Sequence, residues 1–129
     1  MRKVIGLMTN EMPFGVAINA LAHMSAGFAA RMIEEGKPVE TRTLTDGMGG
    51  AHNSVAVEKL DVRLATSEQI RSFRTAALAA DLSVVDFVQT MTGDTYAEQL
   101  ERTKASSEED LVYYGVMVAG DAEVVDGLA

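Results

Sequence analysis

A short apolar run followed by a long, mostly apolar stretch opens the chain. Residues 4–9 are almost wholly apolar, which is typical of a strand covered on both faces. Pro13 then suits the first position of a helix, because a backbone N–H at that position would have no partner within the helix. Gly36 and Pro38 should stop that helix near Glu35. The pattern therefore predicts a central strand, a turn and a long helix that packs against the sheet.

The middle of the chain predicts further strands around a glycine-rich loop. Residues 39–45 and 55–64 are strand-like, and residues 46–50, DGMGG, are typical of a loop. Apolar side chains at positions 60, 62 and 64 alternate with Asp61 and Arg63, which is the period of a half-covered strand.

Two capping boxes and two apolar runs complete the pattern. Thr66 with Gln69, and Thr95 with Glu98, have the spacing that closes the first turn of a helix. Residues 83–91 and 111–119 read as strands, the second with a bulge or a close backbone approach at Gly115. Asp121 can cap a short final helix. This order predicts one domain, residues 1–129, of the three-layer α/β class with a mixed sheet.

Composition narrows the classes of function. The 129 residues contain no cysteine, which excludes disulfides and zinc–thiolate sites. We also expect no apolar run that approaches the roughly 20 residues of a membrane span. We therefore expect a cytoplasmic protein without a membrane partner. The C-terminal third of the chain, residues 81–129, carries eleven acidic residues and only two basic ones, Arg102 and Lys104. Because this part of the chain would repel a polyanion, a nucleic-acid partner is disfavoured.

Three strings carry a family resemblance: KVIGLMTNEMPFGVAINALAH, DFVQTMTGDTYAEQLERT and the closing YYGVMVAGDAEVVDGL. With them the chain resembles the family called domain of unknown function 2000, which is related to the type II peptidyl-tRNA hydrolase fold. The resemblance covers nearly the whole chain. It implies an α/β/α sandwich around a mixed, mainly parallel sheet of four or five strands, often assembled as a homodimer.

The hydrolase pattern is incomplete in this chain. The resemblance matches its first glycine to Gly15, its histidine to His23, and a glutamine near Asn19. The lysine position holds Val16, and the aspartate position holds Thr90, with Asp94 able to stand in; Gly93 and Thr95 are kept. Without the lysine, no obvious cation holds an RNA phosphate or an oxyanion, which argues against peptidyl-tRNA hydrolysis.

The residues themselves predict a pocket. Asn19 and His23 lie four apart on one helix face, and ligands gather beyond the carboxyl ends of strands in α/β sheets. A histidine beside a carboxylate can act as a general base, so His23 with Asp94 is the catalytic candidate. The candidate ligand-binding residues are Asn10, Glu11, Gly15, Asn19, Thr90, Thr92, Gly93 and Thr95.

Each candidate site residue also has a possible structural role that involves no ligand. A histidine on an apolar helix is often a core residue, His52 lies in a glycine-flanked loop typical of a surface position, and the threonine turn is also an ordinary helix start. Asp86 in an apolar strand is either at the sheet margin or hydrogen-bonded. Two histidines lack the spacing of a metal site, so we expect no metal and no cofactor.

Three functions remain open. The first is a small hydrolase-fold protein that binds a small molecule or peptide end in a cleft, with or without turnover. The second is a retained peptidyl-tRNA or related ester hydrolase that uses His23 with Asp94. The third is a non-catalytic oligomerising protein, in which the apolar first helix and the Gly115 strand form an interface.

Overall fold

Strands and helices lie where most of the sequence signals place them. The computed structural model describes residues 1–128, which form six strands and four α-helices. In chain order these are β1 (Arg2–Thr9), α1 (Phe14–Glu34), β2 (Thr41–Thr45), β3 (Ala51–Ala56), β4 (Lys59–Ala65), α2 (Ser67–Ala79), β5 (Ser83–Val88), α3 (Tyr96–Ala105), β6 (Tyr113–Asp121) and α4 (Ala122–Leu128). Short 3₁₀ turns cover Gln89–Met91 and Glu108–Asp110.

The main sheet has four strands in the order β4-β1-β6-β5. Strands β1 and β4 pair in parallel, whereas β6 pairs antiparallel with both β1 and β5. The sheet is mixed, as predicted. Only the β1–β4 pairing, one of three, is parallel, so the expectation of a mainly parallel sheet is wrong. An apolar run shows that a strand is buried, but it carries no information about the strand's direction.

Strands β2 and β3 form a separate antiparallel hairpin, which the sequence analysis did not resolve. The strand-like residues 55–64 are divided between the end of β3 and β4. The DGMGG loop closes the hairpin as expected, because the Asp46 carboxylate accepts hydrogen bonds from the backbone N–H groups of Met48 (2.9 Å) and Gly50 (3.0 Å). His52 completes this turn with a hydrogen bond between its Nε2 atom and the Asp46 carboxylate, at 2.8 Å.

One face of the sheet is packed against α1. The buried stripe of this helix, with Met24 and Phe28 at its centre, meets Val4 and Met8 of β1 and Met117 of β6. Gly115 makes this approach close, because a Cβ there would lie 2.6 Å from the Met24 Cε atom. The pairing of β5 with β6 also shifts by one residue here, from Phe87 with Gly115 to Val88 with Tyr113, so of the two predicted alternatives the bulge is confirmed. Gly115 is buried under α1, so it does not form an interface with another chain.

The opposite face is packed against α2 and α4. Ile70 and Phe73 of α2 and Val125 of α4 join Ile5 and Val116 in a second buried cluster. Helices therefore cover parts of both faces of the four-stranded sheet.

Helix α1 is more apolar than a stripe buried on one side requires. With 21 residues and a mean hydropathy of 1.2 over its most apolar window, it is long and apolar enough to cross a membrane by length and composition. The expectation that no apolar run approaches the length of a membrane span is therefore wrong for this stretch. The core helix of a folded domain meets the same criteria, and five α1 residues are buried against the sheet. Only 28% of that window is buried, so much of its apolar surface is exposed.

Local caps place the helix starts as predicted. Thr66 Oγ1 accepts from the Gln69 N–H at 3.2 Å, and the Gln69 side chain accepts from the Thr66 N–H at 2.9 Å. Thr95 Oγ1 accepts from the Glu98 N–H at the start of α3, and Asp121 accepts from the Glu123 N–H at the start of α4.

We predict that Thr66→Ala lowers the free energy of unfolding by about 1 kcal/mol, because the first turn of α2 loses a side-chain acceptor. Urea unfolding followed by circular dichroism measures the change. Thr75→Ala is the matched control: Thr75 is exposed on the same helix and bonds only the Arg71 carbonyl, so its loss should leave stability unchanged or slightly higher. Equal losses in both variants would contradict the capping role.

Arg2 ties the start of β1 to two other segments. Its guanidinium pairs with the Glu58 carboxylate and donates to the backbone carbonyls of Lys37 (2.6 Å) and Pro38 (3.2 Å). The hydrogen bond from Arg2 is the main cause that lowers the pKa of Glu58 below its ordinary value of 4.5.

A carboxyl whose pKa is lower in the folded than in the unfolded state adds stability above the unfolded pKa, and this stability is lost as pH falls through the folded pKa. We therefore predict that Glu58→Gln lowers the unfolding free energy by about 1 kcal/mol at pH 7. The difference from the parent should shrink below pH 4.5. Urea titrations at several pH values test this, with exposed Glu101→Gln as control. A difference that does not depend on pH would refute the assignment.

Candidate functional site

A cleft lies between the middle of α1, the end of β5 and the segment that leads into α3. Its volume is about 550 Å³. The lining residues are Asn19, His23, Phe87, Met91, Thr92, Gly93, Asp94, Tyr96, Gln99, Leu100 and Thr103. Clefts of comparable size occur elsewhere on the surface, but this one combines an apolar floor with the predicted polar residues.

Helix α1 presents Asn19 and His23 to the cleft. Both residues are exposed, and within residues 1–128 neither side chain forms a hydrogen bond. The His23 ring stacks on the Phe87 ring, with centroids 5.8 Å apart and an angle of 28° between the planes. Because Phe87 is buried, this stacking orients the imidazole while both ring nitrogens stay available to a ligand.

A tight turn between β5 and α3 forms the second wall. Gly93 and Asp94 both have positive φ, 62° and 58°, a conformation that glycine adopts freely and aspartate tolerates. The Thr92 hydroxyl donates to the Gln89 carbonyl at 2.7 Å, and the Gln99 side-chain amide donates to the Gly93 carbonyl at 2.6 Å. These bonds hold the turn in one shape.

Arg102, which the sequence singles out only as one of two cations in residues 81–129, is the centre of this wall. From the last turns of α3 it donates to the carbonyls of Thr90 (3.1 Å) and Thr92 (2.7 Å) and forms an ion pair with Asp94. Helix α3 has no buried residue, so polar bonds rather than apolar burial attach it. Arg102 therefore joins the turn to the helix.

This ion pair changes the chemistry expected of Asp94. Within residues 1–128, no hydrogen bond or ion pair joins Asp94 to His23, because the carboxylate is bound to Arg102. The cleft thus contains a histidine and a carboxylate that Arg102 holds from outside the lining, not an assembled histidine–aspartate dyad. The cleft offers hydrogen-bonding groups and one carboxylate.

Two candidates from the same segment lie behind the lining. Thr90 is buried and its hydroxyl bonds the Thr103 hydroxyl at 2.7 Å. Thr95 caps α3. Gly15 lies in the first turn of α1, where a Cβ would meet nothing within 4 Å, and Val16 packs against the core.

Asn10 and Glu11 lie away from the cleft. The backbone N–H of Asn10 donates to the Ala65 carbonyl, and the Glu11 carboxylate accepts from the Ser67 N–H at 2.6 Å. This turn therefore joins the end of β1 to the start of α2, beside β4, whereas the cleft lies beside β5. Side chains at two strand ends need not meet when other strands separate them.

Three further predictions concern polar residues outside the cleft. His52 is bound to Asp46 in the hairpin turn, where the hydrogen bond from His52 is the main cause that lowers the pKa of Asp46. Asp86 is half-buried and accepts from Arg74 Nε at 2.5 Å, so it is hydrogen-bonded. Across residues 1–128, no three side chains of His, Asp or Glu cluster closely enough to hold a metal ion.

Several lining residues are not among those predicted from the sequence, and neither is Arg102, which holds the turn from outside the lining. Tyr96, Gln99, Leu100 and Thr103 are spaced as one face of a helix, so the face of α3 was readable once the helix was placed. Phe87 looked like an ordinary core residue of a strand. Asp94 lies in the loop before α3 and Arg102 lies two helical turns into α3, so no periodic pattern in the sequence indicates that the two side chains pair.

Comparisons with known proteins give a family and a fold. The sequence model of a family described as "Protein of unknown function (DUF2000)" matches residues 2–129. No curated protein matches the chain. A solved structure of a protein of unknown function from Agrobacterium tumefaciens is similar, with a TM-score of 0.81, 19% identity, and coverage of 98% of this chain and 92% of that chain. At this identity the likeness shows the fold alone.

We predict that Arg102→Ala loosens the turn, because the Thr90 and Thr92 carbonyls and the Asp94 carboxylate lose their shared donor. Amide hydrogen exchange of residues 89–103, read by mass spectrometry, should speed up by about tenfold or more while the main sheet stays protected. Lys104→Ala, on the same helix and exposed, is the control. Unchanged exchange in Arg102→Ala would show that the guanidinium does not hold the turn.

Proposed function

Because the chain belongs to the DUF2000 family of proteins of unknown function, we propose its role from the cleft: it binds a small molecule or a peptide end between α1 and α3. The observation that carries the proposal is the position of Asn19 and His23. Their side chains, unbonded within residues 1–128, share one cleft with the turn that Arg102 holds.

The size and lining of the cleft support this class of ligand. A volume of about 550 Å³ lies within the range of roughly 300–1,000 Å³ for small-molecule sites. Phe87, Met91 and Leu100 supply apolar surface, whereas Asn19 and His23 supply hydrogen-bonding groups. A ligand with an apolar or aromatic body and a polar end fits both.

The ion pair at the edge supports a peptide end in particular. Asp94 and Arg102 are partly exposed, with 55% and 38% of their side chains accessible. A terminal ammonium or amine matches the Asp94 carboxylate, whereas the Arg102 guanidinium already bonds the Thr90 and Thr92 carbonyls and Asp94. A long polyanion is a poorer match, because the net charge of the chain is −8.

The proposal includes the finer fold relationship, a three-layer α/β/α sandwich related to type II peptidyl-tRNA hydrolases. The helices on both sheet faces support it. We propose binding rather than hydrolysis, because Val16 replaces the expected lysine and His23 lacks a carboxylate partner among the described residues. A cytoplasmic location belongs to the same proposal, and the lack of cysteine is compatible with it.

A thermal-shift screen with N-acyl amino acids, dipeptides and aromatic carboxylates tests the proposal. We predict that a compound that stabilises the parent stabilises His23→Ala and Asn19→Ala much less, with a loss of affinity of about tenfold or more. His52→Ala, which removes the exposed hairpin histidine, is the matched control and should respond like the parent.

Two outcomes would contradict the proposal. Equal shifts in the parent and both cleft variants would place the ligand elsewhere. Hydrolysis of N-acyl amino-acid esters by the parent that is lost in His23→Ala would replace simple binding with the ester hydrolase alternative.

A further inference from the structure

The charge in the cleft comes from Asp94. Within residues 1–128, no other carboxylate and no lysine or arginine belongs to the lining. Arg102 pairs with Asp94 from outside the lining, and its Nη2 atom donates to the Thr90 and Thr92 carbonyls. The guanidinium is therefore part of the wall, whereas the carboxylate faces the space that a ligand would fill.

One oxygen of Asp94 is free to accept a hydrogen bond. The bond from Arg102 Nη1 goes to Oδ2, and no hydrogen bond from residues 1–128 reaches Oδ1. The Asp94 side chain is 55% exposed. Because an ionised carboxylate accepts several hydrogen bonds and donates none, Oδ1 can bind an ammonium group and cannot bind a second carboxylate.

The surroundings of Asp94 also favour a cation. This wall belongs to the acidic third of the chain, which has eleven acidic and two basic residues. The start of α3 by itself would favour an anion, but Glu98 lies in its first turn and Thr95 caps the Glu98 N–H. The field at this wall therefore attracts a cationic ligand and repels an anionic one.

Aromatic rings lie on both walls of the cleft. The His23 ring stacks on Phe87, and the Phe87 ring stacks on Tyr114 with centroids 6.5 Å apart, so His23 is the exposed end of a series of stacked rings. Tyr96, on α3, lines the same cleft and is 77% exposed. An aromatic ring of a ligand can thus stack on the free face of His23 and contact Tyr96.

We propose that the cleft binds a primary ammonium group joined by a short chain to an aromatic ring. The ammonium donates to Oδ1 of Asp94, and the ring lies between His23 and Tyr96. The amino end of a peptide whose first residue is aromatic has this chemistry, and so does a small arylalkylamine. This inference rests on the proposed function, because it names the ligand class of the same cleft.

Matched compounds test the ligand class, with affinities read from amide chemical shifts in the full chain. Phenylalaninamide carries the ammonium and the ring, N-acetylphenylalaninamide lacks the charge, hydrocinnamate carries a carboxylate instead, and cyclohexylalaninamide lacks the aromatic ring. We expect phenylalaninamide to bind about tenfold more tightly than the acetylated compound or hydrocinnamate, and about fivefold more tightly than cyclohexylalaninamide.

Phenethylamine, which lacks the amide group, distinguishes the two sources of this chemistry. Binding as tight as that of phenylalaninamide would support a small amine, and weaker binding would support the amino end of a peptide.

Asp94→Asn tests the carboxylate without changing the size of the side chain, and asparagine also tolerates the positive φ of this position. We expect this variant to bind phenylalaninamide about tenfold more weakly while its affinity for N-acetylphenylalaninamide hardly changes. A variant that merely loosened the turn would weaken both compounds equally. Glu101→Gln is the matched control, because it removes one exposed carboxylate of α3 that lies outside the lining, and it should bind like the parent.

Tyr96→Leu tests the ring in the same way. This variant should weaken the binding of phenylalaninamide by about fivefold and leave cyclohexylalaninamide almost unaffected, because only the aromatic ligand loses a partner for stacking and cation–π contact.

The failures of the two proposals are distinguishable. Binding that depends on Asn19 and His23 but shows no preference for the free amine would overturn this inference and leave the binding role of the cleft in place. Equal weakening of the amine and its acetylated form in Asp94→Asn, or tighter binding of hydrocinnamate, would overturn it in the same way. If no compound binds in a manner that depends on Asn19 and His23, both the proposed function and this inference are wrong.

Discussion

The close seating of α1 on the sheet is the constraint on which the rest of the structure depends. The buried stripe of α1 packs on Val4 and Met8 of β1 and on Met117 of β6, and the ends of the Met24 and Met8 side chains fill the space over Gly115, where a Cβ would lie 2.6 Å from the Met24 Cε atom. This packing sets which side of α1 faces β5 and which side faces β4. One edge of α1 then carries His23 to Phe87 of β5, and the other edge faces β4. The position of the cleft therefore follows from the way α1 packs on the sheet.

Polar bonds complete the cleft where apolar burial does not. Helix α3 buries no residue, so its position depends on the Thr90–Thr103 hydroxyl pair, the bond from Gln99 to the Gly93 carbonyl, and the contacts of Arg102. A wall attached in this way is less stable than the core and can adjust around a ligand. The rigid side of the cleft is the stacked pair of His23 and Phe87.

Local signals in the sequence predicted the helix starts and the buried strands, because caps and apolar runs depend on neighbouring residues. The capping box of Thr66 and Gln69 and the bulge at Gly115 are examples. Strand direction was not predictable in this way, and β6 pairs antiparallel with both β1 and β5 although a mainly parallel sheet was expected. Asn19, His23 and residues 92–94 line one cleft, whereas Glu11 bonds the start of α2 and the Asp94 carboxylate pairs with Arg102 instead of His23. Each of these differences comes from a contact distant in sequence.

Nuclear Overhauser contacts in the labelled protein test the seating of α1 most directly. We predict contacts from the Met24 ε-methyl protons to the Gly115 α-protons, together with contacts between the ring protons of His23 and Phe87. Absence of the methionine contacts, or contacts from His23 to β4 instead of β5, would contradict this position of α1 and with it the cleft that α1 lines.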